Sequence, residues 1–188
     1  YLRGLAAFEL KNYEDSKKYT ETVLNNNTKH IPSLLVAGAT SFALEEYEQA
    51  VSRLERVVAA APEYEYARRL LGETHRRLGN DRLALEILKP LATEQVGDAA
   101  LLAGIGRLAA KTGNLEEANQ YLSKAALAQP NNARIRALLG ISKLSLGDLE
   151  EGLSDLSKAE EMTPQSEEHR VLLIQNLLIA GKFQEALN

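Results

Sequence analysis

The sequence predicts an all-helical fold, an α-solenoid of stacked helical hairpins, and three observations carry that prediction. Gly4, Gly38, Gly72, Gly106 and Gly140 stand 34 residues apart. A second comb, Gly79, Gly113, Gly147 and Gly181, has the same period, and each member is followed by a polar residue. Between the combs the apolar residues recur at helical spacing, as in Leu101, Leu102, Ile105, Leu108 and Ala109. A fixed period of this length marks an array in which each unit buries its apolar face against its neighbours.

The unit is helix, tight turn, helix. The second glycine comb fits the left-handed residue that ends a helix, a conformation that costs other side chains steric energy. Five residues further on, Ala50, Ala84, Ala118, Gly152 and Ala186 keep a small side chain where two helices approach. Pro62, Pro130 and Pro164 mark unit ends, because proline suits a helix start and breaks a helix interior. The units run 1–30 (truncated), 31–64, 65–98, 99–132, 133–166 and 167–188 (truncated), within one solenoid domain covering 1–188.

Unit 65–98 is irregular. Pro90 falls inside its second helix and Val96 stands where Pro is expected, so that helix should end or kink near Leu88. In the last unit Val171, Leu172, Leu173, Ile174, Leu177, Leu178, Ile179 and Ala180 make the first helix apolar nearly all round, more than one neighbour can cover. Part of that surface is expected to be exposed and to associate weakly with another copy through Leu178 or Ile179.

With 45% hydrophobic and 26% charged residues in 188, the chain has ample core for a folded protein. No Cys is present, which excludes disulfides, thiolate metal sites and a cysteine nucleophile. The net charge of −4 gives no reason to expect nucleic acid. The longest apolar run, Val171 to Ala180, is interrupted by Gln175 and Asn176 and is far short of the roughly 20 residues that span a bilayer. The chain starts at Tyr1 without an initiator Met and is read as a piece of a longer protein whose targeting segment, if any, lies upstream.

No catalytic constellation emerges. His30, His75 and His169 fall in different units with no repeated metal-ligand spacing, and Gly104 and Gly106 sit inside an apolar helix with no GKS or GKT after them. The acid pairs Glu45/Glu46, Glu116/Glu117, Glu150/Glu151 and Glu160/Glu161 recur at helix starts and outer faces, where carboxylates complement the helix dipole. No enzyme, cofactor or metal is expected, and the single sequon Asn26-Asn27-Thr28 has little weight.

Charge is sorted between the helices. In units 65–98, 99–132 and 133–166 the first helices with their turn glycines total +7 and the second helices total −7.

The arrangement resembles the tetratricopeptide repeat family over essentially the whole chain. That family places a small residue at position eight, a large one at eleven, Ala at twenty and twenty-seven and Pro at thirty-two. Unit 99–132 matches with Gly106, Ala109, Ala118, Ala125 and Pro130, and unit 133–166 with Gly140, Lys143, Gly152, Ala159 and Pro164. The match is degenerate: Leu34, Arg68, Leu102 and Arg136 replace the usual Trp at position four, and Ser41, His75, Ala109 and Lys143 replace Tyr at eleven.

The resemblance implies a right-handed superhelix and a non-catalytic scaffold that binds a protein partner on the concave side of the first helices. By resemblance the inward positions are two, five, nine, twelve and thirteen. These place Arg69, Arg76, Arg77, Arg107, Lys111 and Arg134 in the groove with Glu73 as the one acid, and Leu35, Phe42, Ala43, Ile141 and Leu144 at its apolar ends. An acidic protein or peptide is the expected partner, with Arg76 and Arg77 as leading contacts. The family's carboxylate clamp is not reproduced. Direct capture of an acidic polysaccharide is the alternative, against which stands an aromatic content of 5% with no Trp; a regulatory segment of a larger enzyme is another. The Leu/Ala/Gly-rich array is also similar to large bacterial repeat lipoproteins of exopolysaccharide and surface-protein export. That implies a periplasmic or upstream lipid-anchored location rather than a cytoplasmic one.

Overall fold

The computed structural model describes residues 1–94 and 97–187. Among them the regular structure is helical, and the helices fall where the glycine combs put them: α1 (Leu2–Glu9), α2 (Tyr13–Asn26), α3 (Ile31–Ala43), α4 (Tyr47–Ala60), α5 (Glu65–Arg77), α6 (Asp81–Leu88), α7 (Leu91–Glu94), α8 (Ala99–Lys111), α9 (Leu115–Ala128), α10 (Ala133–Leu146), α11 (Leu149–Met162), α12 (Glu167–Ile179) and α13 (Phe183–Ala186). The chain divides into two compact units, Tyr1–Leu91 and Ala92–Asn188, each a stack of antiparallel hairpins. No helix among the described residues is long and apolar enough to cross a membrane.

The period-34 glycines are notches. A Cβ added at Gly38, Gly72 or Gly106 would lie 2.9, 2.6 or 2.7 Å from Leu54, Leu88 or Leu122, the residue sixteen positions later on the second helix of the same hairpin. At Gly140 the contact includes backbone, 2.8 Å from the Gly152 carbonyl oxygen, with Leu156 beside it. Those leucines are themselves 34 apart, so each hairpin is locked by one side chain seated on a bare patch of backbone.

The turn glycines at 79, 113, 147 and 181 all have positive φ, as the sequence requires. In the two earlier hairpins the same place is filled by Lys11 (φ 58°) and Glu45 (φ 61°). The Glu46 N–H still reaches the Ser41 carbonyl at 2.8 Å to close the helix end, so the turn forms despite the Cβ. Glu45→Gly is therefore expected to stabilise the protein by about 1 kcal/mol, read from the urea midpoint.

The first helices α8, α10 and α12 start on side-chain caps spaced 34 apart: Asp98, Asn132 and Ser166 accept from Leu101, Ile135 and His169 N–H groups at 2.9, 3.2 and 3.3 Å. As expected, α6 ends at Leu88 and a turn through Lys89 and Pro90 separates it from α7. Proline offers no amide to carry the ladder across. The expectation for Val96 lies outside the described residues.

Candidate functional site

Counting from the first residue of each 34-residue unit, two kinds of surface alternate along the first helices. Positions five and twelve face the next first helix. In the N-terminal compact unit Leu35 and Phe42 occupy them and pack half-buried against the cluster of Ala50, Leu54 and Leu71. In the C-terminal one Ala137 forms a buried cluster with Leu156 and Ala159, against which Leu144, Leu172 and Leu173 pack. Positions nine and thirteen stay open to solvent in α8 and α10, and so does Arg134 at position two.

This division corrects the expected groove. Much of the apolar surface of Leu35 and Phe42 is committed to neighbouring repeats. Phe42 also meets the Tyr47 ring edge-on at 5.7 Å and lies under the Arg77 guanidinium at 5.8 Å.

The cations of α5 are engaged within the chain. Arg69 Nε donates to Glu65 at 2.5 Å. Arg76 grips Glu73 through Nε and Nη2 at 2.6 and 2.5 Å, and Arg77 Nε reaches the same carboxylate at 3.1 Å. The hydrogen bond from Arg76, then that from Arg77, holds the Glu73 carboxyl below the usual range against the opposing effect of burial. The Arg76 and Arg77 pair thus presents a carboxylate between its guanidinium groups, and Glu65, outside the counted inward positions, supplies a second acid.

The C-terminal compact unit differs. Arg107 on α8 and Arg134 on α10 are exposed and make no hydrogen bond or ion pair with the described residues. Lys111 is exposed one turn beyond Arg107. Arg107 and Arg134 line a pocket of about 250 Å³, floored by Ala100, Ala103 and Gly104 and bounded by Ile135 and Leu138. A Cβ at Gly104 would meet nothing within 4 Å, so the pocket opens over that glycine. Asn132 at the rim is fixed, its Nδ2 donating to Gln129 Oε1 at 2.9 Å while its Oδ1 caps α10. Two guanidinium groups with no carboxylate partner among the described residues, set in a recess, suit a carboxylate from outside.

Sequence reasoning missed a buried ion cluster. Asp155 on α11, with its side chain 5% exposed, lies 3.0 Å from Arg136 Nη1 and 2.9 Å from Lys143 Nζ, and Lys143 also meets Glu151 at 2.9 Å. Burial lowers the Lys143 pKa, but the Asp155 and Glu151 carboxylates outweigh it and hold the ammonium above its usual value. Arg136 and Lys143 are the residues that replace the family's aromatics at positions four and eleven. An acid at position 23 of the same unit was the available signal.

The histidines serve local structure. His30 caps α3 through Ser33, buried His75 lies 3.4 Å from the Asn80 amide, and His169 pairs with Thr163 Oγ1 at 2.6 Å. At the C-terminal end Val171, Leu178 and Ile179 are 50%, 47% and 84% exposed. Val171 and Leu178 hold positions five and twelve, the kind that a further first helix covers, whereas Ile179 holds position thirteen, which stays open in α8 and α10.

A sequence profile of the tetratricopeptide repeat matches residues 40–99 and 103–167. No curated protein matches the chain. Among solved structures the fold is similar to YrrB, described as a TPR protein with an unusual peptide-binding site (TM-score 0.83, 20% identity, 92% of this chain and 87% of that one). It is similar too to MamA (0.78, 17%, 87% and 89%). A thermophilic TPR protein of Thermus thermophilus, TTC0263, aligns over 93% of this chain and 95% of its own with TM-score 0.59 and 25% identity.

Proposed function

The chain belongs to the tetratricopeptide repeat family, and from that premise we propose that it is a non-catalytic scaffold binding an acidic segment of a partner protein on the first helices of its C-terminal half. The observation that carries this reading is the pair Arg107 and Arg134, unopposed by any described carboxylate and set in one pocket. YrrB, similar in fold, is described as having a peptide-binding site, which accords with a peptide as the ligand. Because Arg69, Arg76 and Arg77 are engaged by Glu65 and Glu73 within α5, the leading contacts move from Arg76 and Arg77 to Arg107 and Arg134.

The test is fluorescence anisotropy of the full chain with a labelled, end-capped peptide rich in Asp and Glu. Arg107→Glu with Arg134→Glu should weaken binding by more than about tenfold, and raising salt should weaken it in the wild type. Arg76→Glu with Arg77→Glu should have a much smaller effect. Affinity indifferent to both the Arg107/Arg134 reversal and salt sinks the reading.

The proposal extends to context. The protein works in a bacterial envelope or export assembly, supported by the likeness of its Leu/Ala/Gly-rich array to the repeat lipoproteins of such systems. A tagged full-length protein should fractionate with membranes or periplasm, and recovery from the cytosol alone would count against this.

Weak self-association through the C-terminal end is also proposed, because Val171 and Leu178 expose the surface that internal repeats bury against a neighbour. Light scattering over a wide concentration range should show a rising mass that Leu178→Glu abolishes. A strict monomer at every concentration refutes it.

A further inference from the structure

Resting on the reading that Arg107 and Arg134 hold an acidic group, we infer that the exposed stripe of α8, α10 and α12 recognises a two-part segment, an acidic side chain over Gly104 and apolar side chains on Ile141 and Ile179. Positions nine and thirteen form this stripe. In α8 they are Arg107 and Lys111, in α10 Ile141 and Ser145, and in α12 Gln175 and Ile179, all exposed. Ile141 remains 37% exposed although α12 packs against α11, the hairpin partner of α10, and Leu172 and Leu173 join the cluster around Ala137, Leu156 and Ala159. Ile179, at 84%, occupies the same kind of place.

Charge sets the order of the two parts. Arg107 and Arg134, which have no partner among the described residues, lie at the α8 and α10 end, while Glu168, exposed at position two of α12, repels an acid there. The stripe therefore passes from basic and small (Arg107, Arg134, Gly104) to aliphatic (Ile141, Ile179). Gly104 decides the depth of the acidic subsite, because any larger residue would grow into the recess.

Helix spacing sets the distance between the parts. Neighbouring packed helices lie about 8–10 Å apart, and three residues of polyproline II span about 9 Å with every third side chain on one face. One side chain per first helix thus calls for an acid and two apolar residues at intervals of three, on a segment that needs no hydrogen bonds of its own.

The probes are end-capped, labelled peptides containing Glu-Pro-Pro-Leu-Pro-Pro-Leu and its reversed sequence, each with versions carrying Gln for Glu or Ser for both Leu. Anisotropy with the full chain should show at least one parent order binding more than about tenfold tighter than both of its versions. Gly104→Leu, whose Cβ meets open space, should melt no lower than the wild type, remove the preference for Glu over Gln and leave the Gln peptide unchanged. Ile141→Asp with Ile179→Asp should remove the preference for Leu over Ser. If Arg107→Glu with Arg134→Glu abolishes binding while the isoleucine variant and the Ser peptide bind like their parents, the two-part inference falls and the acidic reading stands. If the arginine reversal has no effect either, both fall. Gly104→Leu retaining the full Glu preference would overturn the pocket as the acidic subsite.

Discussion

Valine at position 140 is expected to cost the protein about 2–3 kcal/mol, a large share of the stability of a domain of this size. The first added carbon would sit 2.8 Å from the Gly152 carbonyl oxygen and 3.0 Å from Leu156 Cγ. Leucine can rotate away; the backbone of α11 cannot without separating the hairpin. Gly152 makes the reciprocal approach, its own Cβ position lying 2.9 Å from the Gly140 carbonyl oxygen. The small gain from replacing a helical glycine is outweighed by this clash. Gly104→Ala is the internal control: also in a helix interior, it has nothing within 4 Å of the added carbon and should gain about 0.5–1 kcal/mol. Urea midpoints moving in opposite directions check the argument, and a Gly140→Val protein as stable as wild type would refute it.

Asp155→Ala should cost about 2–3 kcal/mol, at or below the range for breaking a fully buried pair because Arg136 and Lys143 retain side-chain exposures of 22% and 19%. The loss arises from two cations left without their shared carboxylate. Adding Arg136→Met and Lys143→Met to the same protein should recover most of it, since an apolar replacement removes the desolvation cost together with the attraction. A triple variant no more stable than the single one would overturn this account.

The same cluster fixes a pH dependence. The folded-state pKa of Lys143 is raised above its ordinary 10.5, so its contribution is fully present below that value and is lost as pH rises through the folded pKa. Lys143→Met should flatten the alkaline limb of a stability profile taken upward from about pH 10. A limb as steep as that of the wild type would show that the ammonium is not the group responsible.

The sequence by itself determined the repeat. Turn glycines and unit-end prolines report local backbone demands, and the period-34 glycines report a close helix contact within one hairpin, so hairpin boundaries and the break before α7 were legible without coordinates. The degenerate family pattern was legible too, because the notch at Gly106 needs only a small residue on one helix and Leu122 on the next.

Only the tertiary structure decided which charges are available. Arg76 and Arg107 read alike in sequence, each a cation on an inward-counted position, yet one is clamped by Glu73 three residues away and the other has no described partner. Leu35 and Ile141 likewise read as equivalent apolar groove residues, and packing buried much of the first against the neighbouring repeat while leaving the second on the open stripe. Asp155 entered the sequence reading only through the −7 total of the second helices, whereas its side chain lies buried between Arg136 and Lys143. The reason is common to all three. A local rule fixes backbone shape residue by residue, whereas the availability of a side chain depends on what a segment dozens of residues away places beside it.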